Sequence, residues 1–469
     1  MGPRKGQHVS RALATLIIAG FLFAPLAVFL STPPAAASIV VDVDGDWTVV
    51  SGTTNVFDGI IFKVDGNVII ESSALLEIWN GGLIFLEDSA HIYSLNILAG
   101  GSLVLDNSIL STEPNQLSDY LKLDVVVNGA LTLRNGAMIK HPGTLTLSGS
   151  ATMDIRDSSI TGFTPGEISV FNLDPDDNDD APVMSFGGSS RVVIAGSVVD
   201  RLYENPLSPG PDSRYNITTS GSANLTIIDT FVGVDFLNDT RFHNIIAAEG
   251  SSNVYLYNMT PDLSQSIMAP LSEWIPTLVP VGTNSSFYIH RWLDATVRDR
   301  FGSAIEGAAI ESRVLPMGTL AYYPDNGDEN VPSLTLLGYL GRTAGDFNRT
   351  DFYGQARIPL LTERIDATVF DSATPNSAFD GNYRIEASHN GFLASQDIAF
   401  SAYPAIAEVD NSIDLTSDLV DLVWPSPDNT YLWDEPRTID FDVTVDGNVR
   451  VTADVVIDGA SLTLLQFGA

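Results

Sequence analysis

Short apolar runs that alternate with polar residues recur along the first half of the chain, and each is introduced by glycine. They read GGSLVLDNSIL from Gly100, GALTLRNGAMI from Gly129 and GTLTLSGSATMDI from Gly143, and related runs begin at Gly66, Gly81, Gly188, Gly221 and Gly250. Leu131 and Leu133 flank a polar residue, which is the two-residue period of a β-strand. Each unit therefore predicts two or three short strands, separated by residues that tolerate the positive φ of tight corners.

The repetition predicts a solenoid. Early runs are spaced by about 20 residues and later ones by about 30, periods typical of repeat architectures. One coil cannot bury its inner face, whereas stacked coils pair each strand with its copy in the next coil. We expect an inward ladder that includes Leu103, Leu105, Leu131, Leu133, Leu145, Leu147 and Ile155.

The repeated unit resembles the right-handed parallel β-helix of the pectin-lyase-like superfamily over Val40 to Ser285. A β-sandwich of similar short strands is the competing interpretation. Longer intervals indicate loops between coils, beginning at Ser111, Phe171 and Arg201. Insertions in a solenoid gather on one side and often form its binding face.

The repeat disappears from His290 onward. Asp299-Arg-Phe-Gly302, Thr350-Asp351 with Gly354, and Tyr383-Arg-Ile-Glu-Ala387 with Gly391-Phe392 resemble a carboxypeptidase-regulatory-like or transthyretin-like β-sandwich across Trp292 to Ala402. The resemblance implies a module that spaces or presents other domains without chemistry of its own. An insert from Leu315 to Arg342 departs from that pattern and leaves the strand count open. Its Tyr322 and Tyr323, with Trp292, offer a sugar platform or simply core aromatics.

A second β-helix is expected near the end of the sequence. Val445-Asp446-Gly447-Asn448 repeats Val64-Asp65-Gly66-Asn67 of the first. A solenoid needs about three repeats to be stable, so we expect this one to continue past Ala469, and a hairpin packed on the sandwich is the alternative. The predicted domains are 1–37 (signal peptide or membrane anchor), 38–286 (parallel β-helix), 287–407 (carboxypeptidase-regulatory-like β-sandwich), 408–434 (linker) and 435–469 (start of a second β-helix). The predicted fold class is all-β.

The N-terminus predicts export. Arg4, Lys5 and Arg11 precede an apolar run from Ala12 to Leu30, followed by STPPAAAS. This is the layout of a signal peptide cleaved after Ala37. The run is also long enough for an uncleaved anchor, which is the alternative. Either way, we expect an extracellular or cell-surface protein that meets the membrane only through this segment.

Composition excludes several classes of function. The chain has 58 acidic and 23 basic residues and a formal net charge of −35. Such a field repels nucleic acid and anionic lipid headgroups. There is no cysteine, which excludes disulfides, thiol chemistry, cysteine-based zinc sites and iron–sulfur clusters.

Candidate chemistry is sparse. We find no Ser/His/Asp order, phosphate loop or HExxH motif, so no catalytic residue and no cofactor-binding residue is predicted. Calcium is the one ion that an acidic loop suggests, through Asp174, Asp176, Asp177, Asp179 and Asp180, and a solvated loop is the alternative. The basic candidates are Arg134, Lys140, Arg156, Arg191, Arg201 and Arg241. Arg156 is expected to pair with a neighbouring aspartate.

Glycosylation motifs are the clearest chemical signal. The acceptor pattern occurs at Asn216, Asn224, Asn238, Asn258, Asn284 and Asn348. Their clustering predicts that several carry glycan and that those up to Asn284 point outward. We therefore expect a non-catalytic, glycosylated cell-surface structural or adhesive protein whose partners are cell-envelope components or polysaccharide. The alternatives are an extracellular polysaccharide lyase or hydrolase of pectin-lyase type, and a calcium-dependent carbohydrate-binding protein.

Overall fold

The computed structural model describes a protein built almost entirely of β-strands. The described residues are 39–87, 93–114, 123–140, 142–161, 183–200, 217–232, 244–258, 260–261, 277–281, 284–299, 304–321, 323, 331–366, 381–389, 392–400, 412–416, 430–433, 436–439, 443–446, 448–459 and 461–465. Within these ranges one short helix accompanies strands β1 to β39.

Three parallel sheets form the first part of the molecule. Sheet A contains β1 (Ile39–Asp44), β4 (Ile60–Asp65), β7 (Gly82–Glu87), β10 (Ile109–Pro114), β13 (Met138–Lys140), β16 (Ser159–Thr161), β19 (Val198–Asp200), β22 (Phe231–Val232) and β25 (Thr260–Pro261). Sheet B contains β2 (Trp47–Val49), β5 (Val68–Ile70), β8 (Ser94–Ile97), β11 (Leu123–Val127), β14 (Pro142–Leu147), β17 (Val183–Phe186), β20 (Ile217–Thr219), β23 (Asn244–Glu249) and β26 (Thr277–Val281). Sheet C contains β3 (Thr54–Asp58), β6 (Leu75–Trp79), β9 (Ser102–Asp106), β12 (Ala130–Arg134), β15 (Thr152–Arg156), β18 (Arg191–Ala195), β21 (Asn224–Ile228), β24 (Asn253–Tyr257) and β27 (Ser286–Arg298).

Within each of these sheets, every strand but the last pairs in parallel with the strand three places later in the chain. Three consecutive strands therefore make one coil, and nine coils stack into a parallel β-helix. The prediction of a parallel β-helix is confirmed.

The interior of the solenoid is a set of apolar ladders. In sheet C, Leu103, Leu131 and Met153 lie in register on successive strands. All seven residues predicted to point inward are at most 1% exposed. The two-residue period thus identified the buried face correctly, because successive side chains of a strand point to opposite sides.

Tight corners join sheet C to sheet A. At successive coils Asn80, Asn107 and Asn135 adopt φ of 52°, 47° and 57°, in the left-handed region. The amide nitrogen of Asn107 donates to the side-chain oxygen of Asn80 at 2.8 Å. Asparagine accepts this conformation more readily than most residues, and its amide continues the hydrogen-bonded stack outside the strands.

The corner between sheets B and C requires glycine. Gly188 and Gly221 have φ of 69° and 67°. A Cβ on Gly221 would lie 2.8 Å from the carbonyl oxygen of Gly188 in the preceding coil. Glycine recurs here because both the backbone conformation and the coil spacing exclude a side chain.

The long connections all leave the solenoid at the corner between sheets A and B. They are 88–93, 115–122, 162–182, 201–216, 233–243 and 262–276. The three predicted loops fall at this corner, although residues 111–114 of the first belong to β10. The other two loops lie largely outside the described residues.

A second module follows, and β27 belongs to both parts. Its strands are β28 (Ala309–Val314), β29 (Thr319–Leu320), β30 (Gln355–Asp366), β31 (Asn382–His389), β32 (Phe392–Ala399) and β33 (Ser412–Thr416). β30 pairs antiparallel along β27, β33 pairs parallel with its far end, and a separate sheet has the order β29-β28-β31-β32. The predicted boundary at 286/287 therefore falls inside a continuous strand, and β33 occupies part of the predicted linker.

One face of β27 passes from one core into the next. Phe287 and Ile289 pack in the solenoid core, whereas Leu293, Ala295 and Val297 pack in the core of the second module. That second core also contains residues from β28, β30 and β31. The two modules are thus joined by a folded strand, and the resemblance to a carboxypeptidase-regulatory-like sandwich stays a prediction.

The insert from Leu315 to Arg342 contains β29 and helix α1 (Leu334–Leu340). The Ser333 hydroxyl caps the helix by accepting from the backbone N–H of Leu336, and Gly341 ends it at φ 63°. The helix lies against the outside of sheet C, where Leu336 is fully buried among Val193, Ile228 and aromatic residues. The departure from the family pattern is thus a packing element.

Two further coils follow the second module. Their strands are β34 (Thr430–Trp433), β35 (Arg437–Ile439), β36 (Val443–Asp446), β37 (Asn448–Val451), β38 (Val455–Ile457) and β39 (Leu462–Leu465). β34 pairs with β37, β35 with β38 and β36 with β39, all parallel. This is the strand order of the first solenoid, and residues 430–433 place its start slightly before 435.

Candidate functional site

The outer face of sheet C changes character along the solenoid. In the middle coils the outward positions hold polar residues such as Thr132 and Asp154. In register with them later stand Val193 and Tyr255, which are 6% and 7% exposed. The later strands of sheet C are therefore buried on both faces, and α1 covers their outer face.

Asp229 is the polar centre of this contact. Its carboxylate accepts from the Tyr339 hydroxyl at 2.9 Å, the Trp292 indole N–H at 2.6 Å and the Asn258 amide at 2.9 Å. Burial, followed by the Asp229 charge, raises the pKa of Tyr339, so its hydroxyl stays a donor. Charge-assisted hydrogen bonds of this kind fix α1 in register with the coils.

Arg357 contacts the ring of Trp292. Its guanidinium makes two hydrogen bonds to Asp294, at 2.7 and 3.0 Å, and lies 6.0 Å from the centre of the indole ring. The arrangement combines an ion pair with a cation–π contact. Trp292 is only 6% exposed, so it is part of the packing here and offers no open sugar platform.

His290 is buried next to the contact between α1 and sheet C. It is 1% exposed and its ring stacks on Tyr257 with centroids 4.2 Å apart. Burial lowers the pKa of His290 from 6.5 to about 3. The histidine therefore remains neutral in the folded protein at every pH above that value.

We expect His290 to make stability fall as the pH falls from about 6.5 to 3. In this window the unfolded chain binds a proton that the folded chain does not, which costs about 1.4 kcal/mol per pH unit. His290→Phe keeps an aromatic ring and removes the proton. Urea unfolding at pH 7 and pH 5 should show the native protein losing about 2 kcal/mol more than the variant.

The same substitution at half-exposed His389 is the control for the pH experiment. An equal loss of stability between pH 7 and pH 5 in the native protein and in His290→Phe would show that the pH dependence does not come from His290.

The predicted glycosylation sites fall into three groups. Asn224, Asn258 and Asn284 are exposed at the corners flanking sheet C, so these three point outward as predicted. Asn216 and Asn238 lie outside the described residues. Modification itself stays a prediction.

Asn348 differs from the exposed sites. Its amide nitrogen donates to the carbonyl oxygen of Ile310 at 3.1 Å. The hydroxyl of Thr350, the third residue of the motif, is buried, donates to Ile305 and accepts from Ala308. Both groups that a glycan-attaching enzyme must reach are thus engaged in hydrogen bonds within the fold.

The described members of the predicted basic candidates lie on sheets A and C. Arg134 pairs with Asp106 at 2.7 Å, Arg156 pairs with Asp154 at 2.9 Å as predicted, and Arg191 contacts the Thr335 hydroxyl of α1. Lys140 lies on sheet A, whereas Arg201 and Arg241 are outside the described residues. Arg134 and Arg156 follow the paired residues Leu133 and Ile155, so they stand at neighbouring positions on the outer face of sheet C, each paired with an aspartate.

No metal site is formed by the described residues. Within them, no group of three or more histidine, aspartate or glutamate residues could hold an ion. The acidic loop from Asp174 to Asp180 lies outside the part of the chain that is described, so calcium binding there stays a prediction. The same part of the chain has no helix long and apolar enough to cross a membrane.

A pocket of about 270 Å³ lies in the second module, at the edge of β28. Its walls include Tyr323, Phe347 and Ile358, and Ser312 projects from the core face of the strand. Sequence reasoning considered Tyr323 but missed the pocket, because it is assembled from segments far apart in the chain.

The contact with α1 was also missed, although the sequence carries a signal for it. The runs RVVIA, NLTII and NVYLY are almost continuously apolar, in contrast to the alternating ALTLR. A continuous apolar run is typical of a strand covered on both faces.

No protein-family model, curated protein or solved structure matches this chain.

Proposed function

We propose that this chain is an exported structural or adhesive protein of the cell surface, without catalytic activity and carrying glycan. The observation that supports it most is the continuity of β27, which belongs to the solenoid and to the second module at once. Together with the seating of α1 on sheet C, this makes the two modules one stiff unit. Nine coils at about 4.8 Å each span roughly 40 Å from first to last, a suitable dimension for a spacer.

A structural role also agrees with how the solenoid surface is used. A lyase or hydrolase of pectin-lyase type needs a groove where acidic and basic side chains from adjacent coils converge on a sugar. Here α1 covers the later coils of sheet C, and Arg134 and Arg156 are paired with aspartates on the same surface. We therefore propose that the protein acts through its shape and its exposed surface.

The family assignments are proposals of the same kind. The order of three strands per coil supports a relationship to the pectin-lyase-like superfamily at the level of architecture. The second module's two sheets around one core support the carboxypeptidase-regulatory-like resemblance. In that arrangement the module presents or spaces neighbouring domains, and cell-envelope components or polysaccharide are the partners we propose.

Protease treatment of intact host cells tests localisation and glycan together. We expect released peptides from this chain, with glycan on Asn224 and Asn284 and a bare Asn348. The physical reason is exposure of the first two side-chain amides and the hydrogen bonds that engage Asn348 and Thr350. Mass spectrometry of the released peptides is the measurement.

Lysed cells provide the control for the protease treatment, since they report the total amount of the chain. Peptides released only after lysis would overturn the surface location. Unmodified peptides covering both Asn224 and Asn284 would overturn the proposal that the protein carries glycan.

A further inference from the structure

The pocket at β28 contains a buried hydroxyl group without a hydrogen-bond partner. Ser312 alternates with Ile310 and Val314 on the core face of the strand and is 7% exposed. Its Oγ atom makes no hydrogen bond within the described structure. A buried polar group without a partner is costly, and an apolar residue at this position would avoid the cost. The Oγ atom has almost no accessible surface in this conformation, so a ligand that removes the cost must bond to it after rotation about the Cα–Cβ bond.

A second polar group faces the same space with a fixed orientation. Asn348 lines the pocket, and its amide nitrogen is held by the Ile310 carbonyl. The side-chain oxygen of such an amide is a hydrogen-bond acceptor. A hydroxyl that donates to Asn348 and another that bonds to Ser312 would satisfy both ends of the pocket.

Apart from Glu311 and Ser388, the rest of the wall is apolar and aromatic. Tyr323 and Phe347 meet edge to face with centroids 6.0 Å apart, next to Ile310 and Ile358. Aromatic walls of this kind pack against C–H faces. The ligand therefore combines an apolar face with hydroxyl groups, as a pyranose ring does.

Charge and size narrow the ligand further. Glu311 is the acidic residue among the described lining, and it pairs with Arg313. A net charge of −35 also disfavours an anionic ligand. A volume of about 270 Å³ corresponds to roughly nine water molecules at about 30 Å³ each, enough for one ring and too small for a chain of rings.

We propose that the pocket at β28 binds one neutral sugar ring, with a ring hydroxyl on Ser312 and another on Asn348. The ring is either a free monosaccharide or the terminal residue of a glycan. The pocket would give the second module a binding activity beyond its role as a spacer. It does not depend on the surface location proposed above.

Saturation-transfer NMR on the full chain tests this proposal. The probes are glucose, galactose, mannose and N-acetylglucosamine, each as the free sugar and as its methyl glycoside. We expect transfer to at least one neutral probe and none to glucuronate. Retention of binding by the methyl glycoside identifies a chain-terminal residue, and its loss identifies a free sugar.

Substitutions at Ser312 distinguish this site from binding elsewhere. Ser312→Ala should weaken the bound probe at least tenfold, and its melting temperature should stay equal or rise because no hydrogen bond is lost. Ser312→Leu should fill the pocket and abolish transfer. Exposed Ser395→Ala, on β32, is the matched control and should bind normally.

Three results would overturn the proposal. They are no transfer from any neutral probe, equal transfer in Ser312→Leu, and a lower melting temperature in Ser312→Ala. The last would mean that the Ser312 hydroxyl supports the fold.

Discussion

Leu133→Asp should prevent the solenoid from folding. Leu133 is fully buried between Leu105 and Ile155 of the neighbouring coils, where a carboxylate has no polar partner. Losing a buried leucine costs about 2–5 kcal/mol, and burying an unpaired charge adds to it. This equals a large part of the stability of an ordinary domain, about 5–15 kcal/mol. Circular dichroism and urea unfolding are the measurements.

Thr132→Lys is the matched control for Leu133→Asp. Thr132 is the preceding residue, points outward and lies in register with Asp154. A lysine there also changes the charge by one unit, with the opposite sign and at the surface, and should leave stability within about 0.5 kcal/mol of the native value. If Leu133→Asp unfolds at the same urea concentration as this control, the inside and outside of the coils are assigned the wrong way round.

Leu336→Asp should release α1 from the solenoid without unfolding the early coils. Leu336 is fully buried against Val193, Ile228 and Tyr255 on the outer face of sheet C. A carboxylate at this contact should cost about 3–5 kcal/mol by the same reasoning. We expect new protease cleavage within residues 331–342 and binding of an apolar dye to the uncovered strands.

Leu334→Asp tests whether the effect belongs to the contact. Leu334 lies on the same helix but is 84% exposed, so an aspartate there remains in water. Its carboxylate also lies in the first turn, where a negative charge stabilises a helix. Cleavage of both variants at the same rate would show that the helix depends on its own sequence and not on the solenoid.

The sequence predicts the coils well because each coil repeats the same local constraints. An inward residue such as Leu131 is recognised by its two-residue period, and a corner such as Gly221 by a conformation that few residues adopt. Both signals lie within a few residues of the feature they specify. Repetition then amplifies them, since each coil contributes an independent copy.

The contact and the pocket depend on partners far away in the chain. Asp229 bonds to Tyr339, 110 positions later in the chain. Ser312 lines its pocket together with Phe347 and with Ile358 of β30. Nothing local distinguishes Asp229 from the other corner residues, because Asn107 and Asn135 occupy equivalent positions. Only the apolar runs of the later strands reveal that something covers them.

Motifs that are read three residues at a time have a similar limit. Asn348 fits the glycosylation pattern as well as Asn224 does. In the fold, however, the Thr350 hydroxyl links Ile305 and Ala308. The difference between the two sites lies in tertiary hydrogen bonds that the motif does not encode.

The sharing of β27 imposes an order of events on a chain that emerges from its N-terminus. Each coil can close as soon as its third strand is made, and β27 can pair with β24 at once. Its other edge has to wait for β30, because residues 299–354 must be synthesised first. During that interval the growing protein presents an open strand edge, to which a neighbouring nascent chain can pair. Synthesis of the second module is thus the step that ends this exposure.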